Sequence, residues 1–235
     1  MKFLGGFVSE NNLTVIAGGG HAGVEAALTL AKHGCKVLLV TLNADAIGRL
    51  SCNPAIGGLG KTHLVKEIDA LGGVMGLASD YSAIQYKTLN KTKGRAVWSL
   101  RAQVDKKKYP LYIQSLIKNN NNISVLEDEV IAFNTKKGSI YESIFKNSKS
   151  VKCNNLIITS GTFLNGLIHI GDKNFKAGRM GEKNAEGLTE CLVNHGFVSK
   201  RLKTGTPPRI NSSSVNYSSL VKADGDLENN KFSLY

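Results

Sequence analysis

The chain contains no apolar run of about eighteen residues, so no segment reads as a membrane-spanning helix. The stretch Met1–Asn12 holds one Lys, no Arg and no apolar core followed by small residues, which is unlike a secretory signal or a strong transit peptide. Cysteine is scarce and unpatterned. The four cysteines, at 35, 52, 153 and 191, show no C-x-x-C spacing and no paired His, which argues against a zinc site and against a secreted disulfide framework. Cys35 and Cys153 precede apolar strands and Cys191 lies among leucines at helical spacing, so these three are expected to be core thiols. Cys52 follows no apolar period.

Acidic residues are also in short supply: 18 Asp and Glu against 30 Lys and Arg give a net charge of +12. A basic excess suits a polyanionic partner. Its make-up tempers that reading, because 24 of the cations are Lys, 6 are Arg and 21 residues are Asn, a bias that A+T-rich coding also produces. A length of 235 residues accommodates one or two domains with a real core.

Leu13–Gly23 organises the rest. A short apolar strand runs into glycines at 18, 20 and 23, and Ala22–Lys32 continues as a helix, which is the order of a dinucleotide-binding fingerprint. Gly18 is expected to make the turn, Gly20 to let the backbone approach a pyrophosphate, and Gly23 to let helix and strand pack closely. The helix N-terminus would then face the anion. Lys36–Thr41 is a second apolar strand, so a βαβ unit with parallel strands is predicted. Its end, Thr41-Leu42-Asn43, offers neither a carboxylate for NAD nor an arginine for NADP. Thr41 or Asn43 remains as a candidate hydrogen-bonding partner for a ribose.

Ile47–Gly60 holds four glycines and a proline, excluding a regular helix or central strand and favouring a loop shaped around a ligand. Cys52 lies inside it. A helix is predicted from Lys61, with Leu64, Val65, Ile68 and Leu71 on one face and Gly72-Gly73 ending it. Residues 73–94 read as loops with short strands. Arg101–Lys118 reads as a helix that is kinked or restarted at Pro110, with Lys106–Lys108 as a solvated face. Short strands follow at Ile123–Glu127, Val130–Asn134, Ser139–Phe145 and Ser150–Cys153, an antiparallel meander. Leu156–Thr159 is a buried return strand ending in Ser160-Gly161-Thr162. Glu186–Asn194 reads as a short helix, Arg201–Ile210 as a rigid basic turn region, and Asn211–Tyr235 as a polar tail, either disordered or part of an incomplete domain. The predicted class is α/β, an FAD/NAD(P)-binding Rossmann-like domain over 1–200, with 201–235 as that tail or, as the family resemblance described next implies, the start of an inserted NAD-binding domain.

Several motifs resemble the MnmG (GidA) family of tRNA-modifying enzymes: Gly18-Gly19-Gly20-His21-Ala22-Gly23, Ser51-Cys52-Asn53-Pro54-Ala55-Ile56-Gly57-Gly58, Lys66–Gly73, Arg101-Ala102-Gln103, Gly161–Leu164, Ile168–Gly171 and Leu202–Arg209. The resemblance runs from about Leu13 to Ile210. It implies an FAD enzyme that uses NADH as reductant and methylenetetrahydrofolate as one-carbon donor. Its product would be an aminomethyl or carboxymethylaminomethyl group at C5 of the wobble uridine, made together with the GTPase MnmE. It also implies FAD contacts at Gly18, Gly19, Gly20, His21, Ala22, Gly23, Val130 and Ala185, where Ala185 replaces a common Ser, and a nucleophilic role for Cys52; Lys61 and His63 are candidates to activate that thiol by sequence proximity alone. Gly161 joins this set from the return-strand turn. The resemblance further implies a cytoplasmic protein, with a mitochondrial setting as the alternative, and a homodimer at full length. The family's second cysteine, final FAD-contacting segment and MnmE-docking helical domain are expected outside this sequence. Arg95 stands where proline is usual. Two other functions stay open on the residues alone: a flavin oxidoreductase acting on a small metabolite, and a non-catalytic remnant.

Overall fold

The computed structural model describes residues 3–4, 12–205, 208–226 and 231–235. The expectation for Met1–Asn12 lies almost entirely outside these residues, as do Thr206 and Pro207 of the basic turn region. In chain order the first half holds β1 (Phe3–Leu4), β2 (Leu13–Ala17), α1 (His21–Lys32), β3 (Lys36–Thr41), β4 (Ala55–Gly57), α2 (Thr62–Ala70), α3 (Met75–Ser82), β5 (Ala83–Leu89), β6 (Ser99–Val104) and α4 (Lys108–Lys118). The second half holds β7 (Ile123–Glu127), β8 (Val130–Lys136), β9 (Ser139–Phe145), β10 (Val151–Lys152), β11 (Asn155–Ile158), β12 (Leu167–Ile170), β13 (Lys173–Lys176) and α5 (Leu188–Asn194). No helix among the described residues is long and apolar enough to cross a membrane.

The main sheet has the order β1-β7-β3-β2-β11. Its last four strands are mutually parallel, and Val15 of β2 lies between Leu38 of β3 on one side and Leu156 of β11 on the other. β2 and β3 read as continuous apolar runs because both faces of this sheet are covered. Side chains alternate between two cores. Ile16, Val37 and Leu39 pack toward α1 and α4, whereas Val15, Leu38 and Val40 pack toward β8, β9 and α5. The α/β class with a parallel sheet is therefore the observed one.

Four local expectations need correction. Ile123–Glu127 is not in the meander: β7 runs parallel to β3, and the antiparallel sheet is β10-β9-β8. Arg101–Val104 is strand, not helix, and α4 begins at Lys108, where the Asp105 carboxylate accepts the N–H groups of Lys107 and Lys108. Pro110 then occupies the third helical position, where no intrahelical N–H is needed, so it neither kinks nor restarts α4. Residues 75–82 form a helix in place of the expected loops and strands. On α2, Val65 is buried but Leu64 and Leu71 are exposed, and Asp69 takes the inward position.

Beyond the basic turn region the chain comes back onto the body. Phe232 is fully buried, the Asp80 carboxylate accepts the N–H groups of Phe232 and Ser233 at 3.0 and 2.9 Å, and Asp69 Oδ2 accepts that of Leu234 at 3.0 Å. This C-terminal strap lies beneath the small sheet β4-β6-β5.

Candidate functional site: a glycine turn beside a cysteine cavity

The turn after β2 is built from glycines for distinct reasons. Gly18 has φ +120°, and a Cβ there would run into the carbonyl oxygen of Thr159. Its N–H donates to Val40 O at 2.8 Å, which ties the turn to β3. At Gly23 a Cβ would collide with the carbonyl of Gly18, so α1 lies directly on the turn. Gly19 is packed against Thr41 and Ile47. Gly20 differs: it caps α1 at φ −74° and nothing lies within 4 Å of where its Cβ would be. No side chain caps α1 and no acidic residue stands in its first turn. Among the described residues the first N–H groups, those of His21 and Ala22 included, therefore have no intrahelical or side-chain acceptor, the condition for an anion site.

The remaining sequence candidates are placed less uniformly. Thr41 is buried against Gly19, with Oγ1 3.3 Å from Asn43 O. Asn43 spends its side-chain oxygen on the N–H of Asp45 at 2.8 Å, capping a short 3-10 turn. Val130 opens β8 with its side chain buried in the core, which leaves its main chain as the part able to meet a ligand. Gly161, at φ +58°, follows β11 with open space on its Cβ side. Ala185 lies in a parallel bridge with Leu164, its N–H donating to Phe163 O at 2.8 Å and its carbonyl accepting from Asn165 N at 2.7 Å. Its main chain is thus committed to the loop after β11.

Two residues not singled out from the sequence stand at this edge of the sheet, Thr159 against the glycine turn and Glu127 beside the end of β3. Thr159 Oγ1 stands 3.1 Å from Ala17 O and 3.0 Å from Gly18 O, clamping the glycine turn from the return strand. Glu127 ends β7 opposite Thr41, and its carboxylate accepts the Ala44 N–H at 2.8 Å. A carboxylate does stand at this edge, supplied by the neighbouring strand.

Beside the turn is a cavity of about 350 Å³ lined by His21, Cys52, Ile56, Lys61, Leu64 and Met75 among others. Cys52 is exposed, and its carbonyl accepts from Arg209 Nη2 at 3.2 Å. Of the two neighbours expected to assist it, Lys61 lines the cavity, whereas His63 is exposed and does not. The other cysteines behave as packing groups in two cases, since Cys153 and Cys191 are buried, while Cys35 is half-buried. His21 belongs to both features: it is the first residue of α1 and a wall of the Cys52 cavity. Its ring lies 5.6 Å from that of Tyr109, and burial holds its imidazole below the ordinary range, favouring the neutral form. Deeper in, burial raises the Glu25 carboxyl. The N–H groups of Val74 and Met75 counter the effect, and Asp69 adds to it.

An uncapped helix reached through a glycine turn, at the carboxyl ends of parallel strands, defines a Rossmann-type dinucleotide-binding architecture. The sequence profile described as Glucose inhibited division protein A matches residues 13–235, and the chain belongs to that family. The tRNA uridine 5-carboxymethylaminomethyl modification enzyme MnmG of Campylobacter hominis is 44% identical over 229 residues, covering 93% of this chain and 34% of that protein. The protein of the same name from Sulfurihydrogenibium sp. is 48% identical over 223 residues, covering 94% and 36%. The crystal structure of Aquifex aeolicus GidA (form II) superposes with a TM-score of 0.91 at 44% identity, covering 99% of this chain and 38% of that one. The chain thus spans about a third of the length of the relatives it matches.

Proposed function

We infer that this chain is the cofactor-binding and nucleophile-bearing portion of an FAD-dependent enzyme that modifies C5 of the wobble uridine in tRNA. The observation that carries the reading is the double placement of His21, which joins an anion-ready helix N-terminus to a cysteine-lined cavity. The relatives named above are tRNA uridine modification enzymes, which supports the substrate class.

The residues present fit FAD. Gly18–Gly23 would hold the pyrophosphate, with Gly20 allowing close approach. Glu127, beside the end of β3, accepts the Ala44 N–H with one carboxylate oxygen and would take the ribose with the other, whereas the polar atoms of Thr41 and Asn43 face Asn43 O and the Asp45 N–H. Val130 and Gly161 would contribute main-chain contacts, and Ala185 would contribute surface only. When bound, the flavin supplies hydride transfer. The chain's own chemistry falls to Cys52. A thiolate that adds to C6 of a uracil ring pushes the C5–C6 electron pair toward the C4 carbonyl, leaving C5 nucleophilic toward a one-carbon unit. Only the thiolate can do this, and a nearby cation favours it. Lys61 lines the same cavity, and the Arg209 guanidinium stands 3.2 Å from the Cys52 carbonyl. His21, held neutral, can accept a proton at the cavity wall.

NADH as reductant, methylenetetrahydrofolate as donor, the GTPase MnmE as partner, assembly as a homodimer and a cytoplasmic setting complete the reading, with 1–200 as its FAD-binding domain. The test is the visible spectrum of the purified protein. Stoichiometric flavin in the purified chain supports the reading, and a chain that retains none is not the flavoenzyme by itself. In the full-length protein, Cys52→Ser is expected to keep the flavin absorbance and abolish uridine modification. Undiminished modification removes Cys52 from the mechanism.

A further inference from the structure

Residues 83–104 form a hairpin, β5 and β6 joined through 90–98, that contains five cations and no Asp or Glu: Lys87, Lys91, Lys93, Arg95 and Arg101. Residues 91–98 are all exposed. Of the tip cations, Lys91 is paired, at 3.0 Å, with Asp226 of the strap. Lys93 and Arg95 have no acidic partner among the described residues. Arg95 instead stacks over Trp98, 5.6 Å from the ring centroid, and Trp98 is fixed in place by its indole N–H donating to Lys93 O at 3.0 Å. An exposed indole held in one orientation beneath a guanidinium, with a further ammonium two residues away, presents a flat stacking surface and two charges together.

The hairpin is not remote from the cavity. β6 is hydrogen-bonded on its other edge to β4, with Ala55 opposite Gln103 and Gly57 opposite Arg101. The Gly58 N–H donates to Leu100 O at 2.9 Å, and Thr62 Oγ1 to the same carbonyl at 2.7 Å. β4 forms one wall of the cavity, whose lining runs from Cys52 through Gly57 to Lys61. The hairpin tip therefore rises from the Gly57–Lys61 end of that wall. Strand rise places it roughly 13 Å or more along the sheet from the Cys52 end.

We propose that the tip of this acid-free hairpin, Lys93, Arg95 and Trp98, is the contact that grips the RNA strand carrying the reacting uridine at the mouth of the Cys52 cavity. The occupant follows from charge and shape. A phosphodiester backbone satisfies unpaired cations, and an unstacked base satisfies an exposed indole, the two components by which single-stranded nucleic acid is held. The inference rests on the tRNA reading above and adds to it where the strand is held.

The experiment is fluorescence anisotropy of a labelled anticodon stem-loop RNA across a salt series. Lys93→Glu/Arg95→Glu is expected to weaken binding tenfold or more and to reduce the salt slope by about 1–2, the share of two phosphate contacts. Lys93→Gln/Arg95→Gln should move the same way by less, and Trp98→Ala should weaken binding with little change in slope. Lys136→Glu/Lys137→Glu, an equal charge change on the exposed β8–β9 turn, is expected to cost less than threefold, and melting temperatures show whether each variant is folded. Wild-type affinity and slope in both folded tip variants overturn this inference alone. A wild-type protein that binds no RNA overturns the tRNA reading and this inference together.

Discussion

Gly57 is seated against Phe232: a methyl group built on the Gly57 α-carbon would lie 2.5 Å from the tip of the Phe232 ring. The strap thus supports β4 from beneath, and β4 follows directly on the Cys52 loop. Phe232 is fully buried, 6.5 Å from the Tyr86 ring, with its main chain anchored to Asp80. Phe232→Ala is expected to cost about 3–5 kcal/mol, the sum of lost transfer energy and the cavity left behind. Phe232→Leu should cost less. The urea midpoints of the two variants give the comparison. An alanine variant within about 0.5 kcal/mol of wild type shows that the strap does not support the loop.

Gly20 and Gly23 separate ligand binding from folding. At Gly20 the backbone is ordinary for an L-residue and the space is open, so Gly20→Ala is expected to leave the melting temperature of the flavin-free protein unchanged. On the proposed reading the added methyl group would stand where the pyrophosphate approaches, and flavin retention should fall. Gly23→Ala forces α1 away from the Gly18 carbonyl and is expected to lose about 1–3 kcal/mol or more of stability. Flavin absorbance and thermal unfolding, measured on both variants, check the pair. Retention of flavin by Gly20→Ala places the cofactor elsewhere.

The contrast between these glycines and Thr159 shows how far the sequence can be read. The strand, turn and helix over Leu13–Lys32 are local, and their apolar run, glycine spacing and helical period all agree, so the fold class and the glycine turn leading into α1 are legible. Thr159 reaches the glycine turn, and Glu127 the end of β3, through the parallel pairings of β11 with β2 and β7 with β3, across more than eighty residues of chain in each case. No local pattern signals that. For the same reason β7, read locally, falls in with the meander. α3 escapes a periodicity reading because its buried positions are Gly76, Ala78, Ser79 and Ser82, small residues with no apolar period. In 101–118, the apolar residues of β6 run on into those of α4. The Asp105 cap is what divides them, and without it Pro110 reads as an interruption.

Asp226 fastens the strap to the basic hairpin and makes that attachment sensitive to acid. Its carboxylate accepts the Thr88 N–H at 2.7 Å and the Lys91 ammonium at 3.0 Å. Burial opposes its ionisation, but the Thr88 and Lys91 donors and the Lys91 charge outweigh burial and hold its pKa at about 2. A carboxyl held below its unfolded value of about 3.9 contributes stability that is complete above that value and is lost as pH falls toward about 2. Wild-type stability should therefore decline more steeply between about pH 4 and pH 2 than that of Asp226→Asn. The asparagine can still accept the Thr88 N–H but carries no charge for Lys91. Thermal unfolding of both proteins across that range is the measurement. Parallel curves assign the acid sensitivity to other carboxylates and leave the Lys91 pair without a part in holding the strap.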